Sequence, residues 1–102
     1  MEIDINNPSI VFNWKAEGID EIYQNILIIL TTWKGSVPFD RDFGVDISVI
    51  DEPLEIAKNR LTIDYIEQVR EHEPRAQVSE VQFESDVIEG KLIPRVVIES
   101  AD

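Results

Sequence analysis

The pattern of hydrophobic and polar positions changes period along this chain, and each period predicts a different kind of element. From residue 18 to residue 35 apolar side chains recur every three or four positions, which is typical of an amphipathic helix. Asp20 is the predicted N-cap of this helix, and Gly35 is placed to end it. Before the helix, an apolar patch at residues 10 to 12 predicts a short strand, whereas the polar residues 1 to 9 predict a flexible arm.

A second helix is predicted from Pro53, which a first helical turn tolerates because its missing N–H has no partner there. One apolar stripe at helical spacing holds Leu54, Ala57, Leu61, Tyr65 and Val69. Ile56 and Ile63 lie nearly opposite this stripe, seven residues apart. We expect the arm or the long loop to cover this pair, and a partner site is the alternative.

The charged tripeptide Glu73-Pro74-Arg75 ends the second helix. Proline disfavours helical geometry in the residue before it, so the helix should end just before the tripeptide. Pattern alone makes this a helix stop with charged flanks. On that interpretation Glu73 and Arg75 pair with Arg70 or Glu71 in an exposed contact that contributes little to stability.

From residue 76 the period changes to two, which is typical of a strand. The apolar positions change parity between residues 79 and 81, so a bulge is predicted there. A turn at residues 89 and 90 joins this strand to a second one, "KLIPRVVIES", as a C-terminal β-hairpin. Pro94 cannot donate to a ladder, so the second strand is expected to face an open edge or to contain a second bulge.

A long segment of irregular pattern separates the two helices. Loops of this length in a small domain are usually functional or disordered, and two phenylalanines four residues apart favour order because their rings can pin the loop to the core. Gly44 is expected to adopt a positive φ. The residues assigned to this loop architecture are Gly35, Phe39, Asp40, Arg41, Asp42, Phe43 and Gly44.

The order of these elements is a short strand, two helices separated by a long ordered loop, and a hairpin, which is typical of the α+β class. The chain has 102 residues, of which 43% are hydrophobic, enough for one core. We therefore predict one small α+β domain over residues 10 to 102, with the arm outside it. Its two main helices pack on a small antiparallel sheet that includes the C-terminal β-hairpin.

The chain is strongly acidic, with 21 Asp and Glu against nine Lys and Arg and a formal net charge of −12. This charge repels phosphate backbones and anionic lipid, so we predict no nucleic acid and no membrane among the partners. The absence of cysteine removes disulfide and thiolate chemistry. The N-terminus lacks signal-peptide features, and the longest apolar run, "ILIIL", is far too short to span a bilayer. We expect a soluble cytoplasmic protein.

No combination of residues predicts catalysis, a metal site or a cofactor. His72 is the only histidine, and its neighbours Glu71 and Glu73 point about 100° away from it on a helix, so the three cannot converge on one ion. The sequence has no nucleophile-elbow motif and no phosphate-binding glycine loop. Paired carboxylates are better explained as a solvated acidic surface. We therefore predict that the protein is not an enzyme.

Three segments occur in a distinctive order: an apolar helix ending "LTT", a "KG…DRDFG" loop, and Glu-Pro-Arg at the junction of helix and strand. In this order they resemble the small baseplate wedge proteins that initiate the sheath of contractile phage tails. The same family occurs in tailocins, prophage-derived tails and type VI secretion baseplates. The likeness covers roughly residues 18 to 99. Many members have Gly-Glu-Arg in the loop, whereas residues 35 to 37 here are Gly-Ser-Val, which puts a contact of that Glu or Arg in doubt.

The resemblance implies a structural baseplate component in which Glu73, Pro74 and Arg75 dock on the wedge core and the hairpin seeds the sheath by strand pairing. The sheath-pairing strand that it implies comprises Leu92, Ile93, Pro94, Arg95, Val96, Val97 and Ile98. The implied partners are other wedge proteins and the sheath subunit, with tube or hub proteins as further candidates. Several copies would surround a symmetric baseplate that assembles in the bacterial cytoplasm.

Two other functions remain open at the level of sequence. An anti-adaptor that controls proteolysis of a bacterial stress sigma factor resembles the same fold, so a regulatory protein-binding role is the first alternative. Relatives of the family have carried a lysozyme label, so a lysozyme-like hydrolase is the second and less favoured one.

Overall fold

The fold combines two α-helices with a small mixed sheet, and the computed structural model describes it for residues 2–13, 19–36, 38 and 42–101. The helices are α1 (Ile19–Thr31) and α2 (Leu54–His72), and a 3₁₀ helix at Ile47–Asp51 precedes α2. The strands are β1 (Glu2–Ile3), β2 (Ser9–Phe12), β3 (Ala76–Asp86) and β4 (Lys91–Ser100).

β4 is the central strand of the sheet. One of its edges pairs antiparallel with β3 along the whole hairpin, from Asp86 opposite Lys91 to Ala76 opposite Ser100. The other edge pairs in parallel with β1 and, further along, with β2. The α+β class predicted from the sequence is confirmed. The sheet is mixed rather than antiparallel, however, because both N-terminal strands run parallel to β4.

The N-terminal residues lie against the sheet, although the sequence predicts a flexible arm for residues 1 to 9. The N–H of Asp4 donates to the carbonyl of Leu92 at 2.8 Å, and Ile5 is buried in the core. Ile3 also packs against the core cluster. The apolar contacts of these two isoleucines and the backbone pairing with β4 together attach the N-terminal segment to the domain.

Pro94 lies inside β4 without breaking its ladder. The carbonyls of Leu92 and Ile98 accept hydrogen bonds from the N-terminal segment, so the backbone groups of every second residue between them face β1 and β2. Pro94 faces the interval between these two strands, where residues 4 to 8 form no strand. The missing N–H of Pro94 therefore costs no hydrogen bond of the sheet. The strand accommodates Pro94 without the open edge or the second bulge that the sequence predicted.

One face of the sheet packs against both helices. The buried apolar side chains are Ile22, Ile26, Ile29 and Leu30 on α1, Ala57, Leu61, Tyr65 and Val69 on α2, and Leu92, Val96 and Ile98 on β4. The stripe predicted for α2 is confirmed except at Leu54, which is 38% exposed. Leu54 is the first residue of the helix and lies at the rim of the core.

α1 ends at Thr31, four residues before the predicted stop at Gly35. The chain leaves the helix early because it pairs with the far end of the loop. The N–H of Val45 donates to the carbonyl of Thr32 at 2.7 Å, and the N–H of Lys34 donates to the carbonyl of Val45 at 2.9 Å. A non-local pairing of this kind has no signature in the helical period.

Predictions that rest on local pattern agree more closely with the structure. α2 ends at His72, just before the tripeptide, and the register of β3 shifts between Val78 and Glu80, one residue before the bulge predicted between residues 79 and 81. Asp20 differs from its prediction, since it lies in the first turn of α1 rather than at the cap. A carboxylate in that turn still complements the helix dipole.

Candidate functional site

The chain turns from α2 into β3 at residues 72 to 76, here called the helix–strand corner. The N–H of Glu73 donates to the carbonyl of Val69 at 2.8 Å, and the carbonyl of Glu73 accepts from the N–H of Ala76 at 3.1 Å. Pro74, between them, has a fixed φ and no N–H to satisfy. The corner is therefore a well-defined turn, and it exposes Pro74 and Arg75.

The carboxylate of Glu73 is buried at this corner, and only 3% of the residue is exposed. Its Oε1 accepts from Nε of Arg75 at 2.7 Å, and its Oε2 accepts from Nη2 of Arg75 at 2.9 Å. Nδ2 of Asn25, on α1, donates to Oε2 at 2.9 Å. A bidentate guanidinium contact is among the strongest hydrogen-bonded pairs in proteins. Glu73 thus ties α1 to the corner and fixes the guanidinium of Arg75.

These contacts shift the pKa of both members of the pair. The pKa of Glu73 is lowered from its ordinary 4.5 to about 2, chiefly by the side-chain hydrogen bonds from Arg75 and also by the one from Asn25, whereas burial acts in the opposite direction. The same pairing with Glu73 raises the pKa of Arg75. Glu73 is therefore ionised at neutral pH and fully paired, which suits a structural role and not proton transfer.

Arg75 remains accessible although its guanidinium is held. Its side chain is 52% exposed, and it also lies 3.5 Å from Glu21 on α1. Within the described part of the chain, no residue hydrogen-bonds to Nη1 of Arg75. The partners of Arg75 are thus Glu73 and Glu21, and not Glu71 as the sequence suggested. The carboxylate of Glu73 has no room for a basic group from another protein.

Gln68 holds the loop that follows α1. It is a buried residue of α2, and its Oε1 accepts from the N–H of Gly44 at 2.8 Å while its Nε2 donates to the carbonyl of Asp42 at 3.4 Å. Gly44 has a φ of 107°, and a Cβ there would clash with the carbonyl of Thr32. The positive φ predicted for Gly44 is confirmed, and close packing adds a second reason for glycine.

The remaining residues assigned to the loop differ in their surroundings. Phe43 is half-buried and presents an edge to the ring of His72, with the ring centroids 4.6 Å apart. Gly35 has a φ of 86°, but open space surrounds the position of a Cβ. Phe39, Asp40 and Arg41 lie outside the described residues.

A shallow cleft of about 320 Å³ borders the corner, lined by Asn25, Ile28, Ile29, Phe43 and His72. Ile28 is 54% exposed there. The ring of His72, in edge contact with Phe43, is part of its wall, and the described residues contain no cluster of three side chains able to hold a metal ion. The cleft can therefore offer apolar contact area beside the helix–strand corner.

Three polar residues that position the loop and the corner were missed from the sequence. Asp64 accepts from the N–H of Asp46 at 2.8 Å and lies 3.4 Å from Lys34. Gln68 carried a usable signal, since a polar residue within an apolar helical stripe must find a buried partner. Asn25 carried no such sequence signal, because the helical pattern places it on the polar side of α1, which is expected to face solvent.

The strand expected to pair with the sheath, Leu92 to Ile98, has little open edge, because β1 and β2 occupy most of the side of β4 that the hairpin leaves free. Its pairing with the sheath stays a prediction. The longest free edge among the described strands is that of β3. The backbone groups of Leu92 face β1, so those of its partner Ser85 point away from β4, and so do those of Val81 and Phe83.

The apolar pair on the outer side of α2 is also uncovered. Ile56 is 47% exposed and Ile63 is 56% exposed, so the described parts of the arm and the loop do not cover them as expected. A partner site remains the alternative for this pair. Neither of the described helices is long and apolar enough to cross a membrane.

Comparison with known proteins provides an independent indication of the family. The chain is similar to the baseplate wedge protein gp25 of Enterobacteria phage T4, with 37% identity over 79 residues. The alignment covers 68% of this chain and 58% of the length of that protein. No family model matches the chain, and no solved structure does. The similarity confirms the resemblance inferred from the helix, the loop and the Glu-Pro-Arg tripeptide.

Proposed function

Because this chain is related to the baseplate wedge family, we propose that it is a structural component of a phage tail baseplate. The observation that carries the proposal is the 37% identity with the T4 baseplate wedge protein. Two features of the fold support it: a rigid corner with an exposed arginine, and a long free sheet edge. Both are means by which a small protein binds neighbours in an assembly.

The proposed contact with the rest of the wedge is the exposed part of the corner, Pro74 and Arg75. Glu73 acts as a positioning residue, because it holds the guanidinium through Nε and Nη2. A guanidinium already held in place loses little conformational freedom when it binds a carbonyl or carboxylate of a partner. The cleft beside the corner supplies apolar area to the same partner.

The proposed contact with the sheath is the edge of β3. A strand from a sheath subunit adds alongside Val81, Phe83 and Ser85, whose N–H and C=O groups point away from β4. β4, with residues 92 to 98, supports this edge from inside the sheet. Several copies arranged around a baseplate would present a ring of such edges, from which the sheath grows.

The particle that fits this role is a contractile tail, as in a phage, a tailocin or a prophage-derived tail. The protein would join the baseplate in the bacterial cytoplasm during assembly and remain in the finished tail. Its partners would be other wedge proteins and the sheath subunit. The role needs neither catalysis nor a cofactor.

The wedge contact is tested by Arg75→Ala, with Arg70→Ala, an exposed arginine of α2, as the matched control. We expect Arg75→Ala to be less stable, because Glu73 loses its bidentate partner, but to remain folded by circular dichroism and to be missing from purified baseplates by mass spectrometry. Arg70→Ala should be incorporated normally. Sheathed particles at normal yield in the Arg75→Ala strain would exclude the corner as the docking site.

The sheath contact is tested by Ser85→Pro, because proline removes an N–H that makes no bond to β4. Ser85→Ala is the matched control, since it keeps that N–H. We expect Ser85→Pro to enter baseplates and to lower the yield of sheathed particles, counted by electron microscopy, relative to Ser85→Ala. Equal yields for the two variants would show that the sheath does not pair at this edge.

A further inference from the structure

The turn between β3 and β4 carries the most exposed large apolar side chains among the described residues. Val87 is 83% exposed and Ile88 is 97% exposed, whereas the next most exposed, Ile63, is at 56%. Turns usually carry Gly, Asn, Asp, Ser or Pro at such positions. Two adjacent branched aliphatic residues at the end of a hairpin are therefore not explained by the needs of the turn.

This turn is held by its own hydrogen bonds. Oδ1 of Asp86 accepts from the N–H of Ile88 at 3.1 Å and from the N–H of Glu89 at 3.2 Å. Gly90 completes the turn with a φ of 67°. Branching at Cβ also restricts the side chains of Val87 and Ile88 to few rotamers. The two side chains are thus presented in a defined position, which lowers the entropic cost of burying them in a partner.

We propose that Val87 and Ile88 insert into an apolar socket on the subunit that adds a strand along β3. The proposal rests on the proposed strand addition and extends it to a second contact with the same partner. The free edge of β3 reaches Ser85, only two residues before Val87. A strand advances about 3.3 Å per residue, so the end of an added strand lies about 7 Å from Val87. The turn protrudes, so the complementary surface is concave.

Charge around the turn defines the rim of that socket. Glu84 and Glu89 have side chains more than 60% exposed, and Asp86 lies between them. Both glutamates form only long ion pairs: Glu84 lies 3.6 Å from Arg95, and Glu89 lies 4.0 Å from Lys91. Lys or Arg residues around an apolar pocket would complement these carboxylates, in keeping with the net charge of −12.

Site-specific photo-crosslinking in assembled particles tests the proposal. The photoreactive residue p-benzoylphenylalanine is placed at position 88, at position 85 on the free edge, or at the exposed position 70 as the control on α2. We expect positions 88 and 85 to cross-link to the same sheath chain, and position 70 to give no such product. The peptide joined to position 88 should contain apolar residues flanked by Lys or Arg.

The outcomes separate this inference from the proposed function. A sheath cross-link from position 85 without one from position 88 overturns the socket and leaves strand addition standing. The absence of sheath cross-links from both positions overturns strand addition and, with it, the socket. A cross-link from position 88 to a second copy of this chain also overturns the proposal, because the socket would then belong to another partner.

A pair of serine substitutions gives a second test in the same particles. The double variant Val87→Ser, Ile88→Ser leaves the core and the turn hydrogen bonds intact, and Ile66→Ser, on α2, is the control for loss of an exposed apolar side chain. Two aliphatic side chains withdrawn from a socket should lower the yield of sheathed particles about ten-fold or more. Unchanged sheath yield in the double variant, with normal incorporation, would refute the socket.

Discussion

Acidification provides a direct test of the role assigned to Glu73. Its pKa is lowered from 4.5 in the unfolded chain to about 2 in the folded protein, chiefly by the hydrogen bonds from Arg75. A depressed carboxyl pKa stabilises the folded state fully above pH 4.5, and this stabilisation is lost as the pH falls from 4.5 towards 2. One pKa unit corresponds to about 1.4 kcal/mol, so the ionised carboxylate contributes about 3 kcal/mol to the free energy of unfolding at neutral pH.

The measurement compares wild-type protein with Glu73→Gln by urea denaturation at several pH values from 7 to 2.5. At pH 7 the variant should be less stable by about 3 kcal/mol, because glutamine cannot form the charged bidentate pair with Arg75. As the pH falls below 4.5, Glu73 of the wild type becomes protonated in the unfolded chain while it stays ionised in the folded protein until about pH 2, so the difference between the two proteins should shrink progressively. The other carboxylates titrate in both proteins and cancel in this comparison.

Glu55→Gln is the control, because the side chain of Glu55 is 83% exposed and contacts only Lys58 at 3.5 Å. It should change stability by a few tenths of a kcal/mol at most at pH 7. A wild-type minus Glu73→Gln difference that stays constant from pH 7 to 2.5 would refute the reasoning, since the loss on substitution would then reflect packing rather than the ionised pair.

Two further predictions concern residues in and under the loop. Gly44→Ala should lower the free energy of unfolding by more than about 2 kcal/mol, because the positive φ alone costs about 1 to 2 kcal/mol and the new Cβ meets the carbonyl of Thr32. In the Gly35→Ala variant the new Cβ meets no other atom, so the loss in free energy of unfolding should not exceed the cost of the positive φ in the same urea titration. Tyr65→Phe should raise the free energy of unfolding by about 1 kcal/mol, because the buried hydroxyl has no hydrogen-bond partner among the described residues. A loss above about 1 kcal/mol on urea denaturation would reveal a partner for that hydroxyl.

The sequence predicted the elements whose signals are local. The end of α2 follows from one proline, and the bulge near Ser79 follows from a change of parity, so both can be read from a few neighbouring residues. The Glu-Pro-Arg tripeptide was recognised from the sequence as a motif. The sequence did not show, however, that Glu73 is buried while Pro74 and Arg75 are exposed. Whether Glu73 faces a partner or the core depends on Asn25, which lies 48 positions away in the chain and adjacent in space.

The interior position of β4 in the sheet could not be predicted from the sequence pattern, and it changes where sheath pairing has to be tested. β1 has two residues and β2 has four, and although an apolar patch predicts a strand at residues 10 to 12, segments this short carry too little period to predict which strand they pair with. Their parallel pairing with β4 closes an edge that Pro94 seemed to mark as open. The strand with the strongest sequence signal is therefore the interior of the sheet, with Val96 and Ile98 fully buried. A deletion of residues 92 to 102 would remove the core together with the strand, so sheath pairing has to be tested at the exposed edge of β3, where a single N–H can be removed while the fold remains.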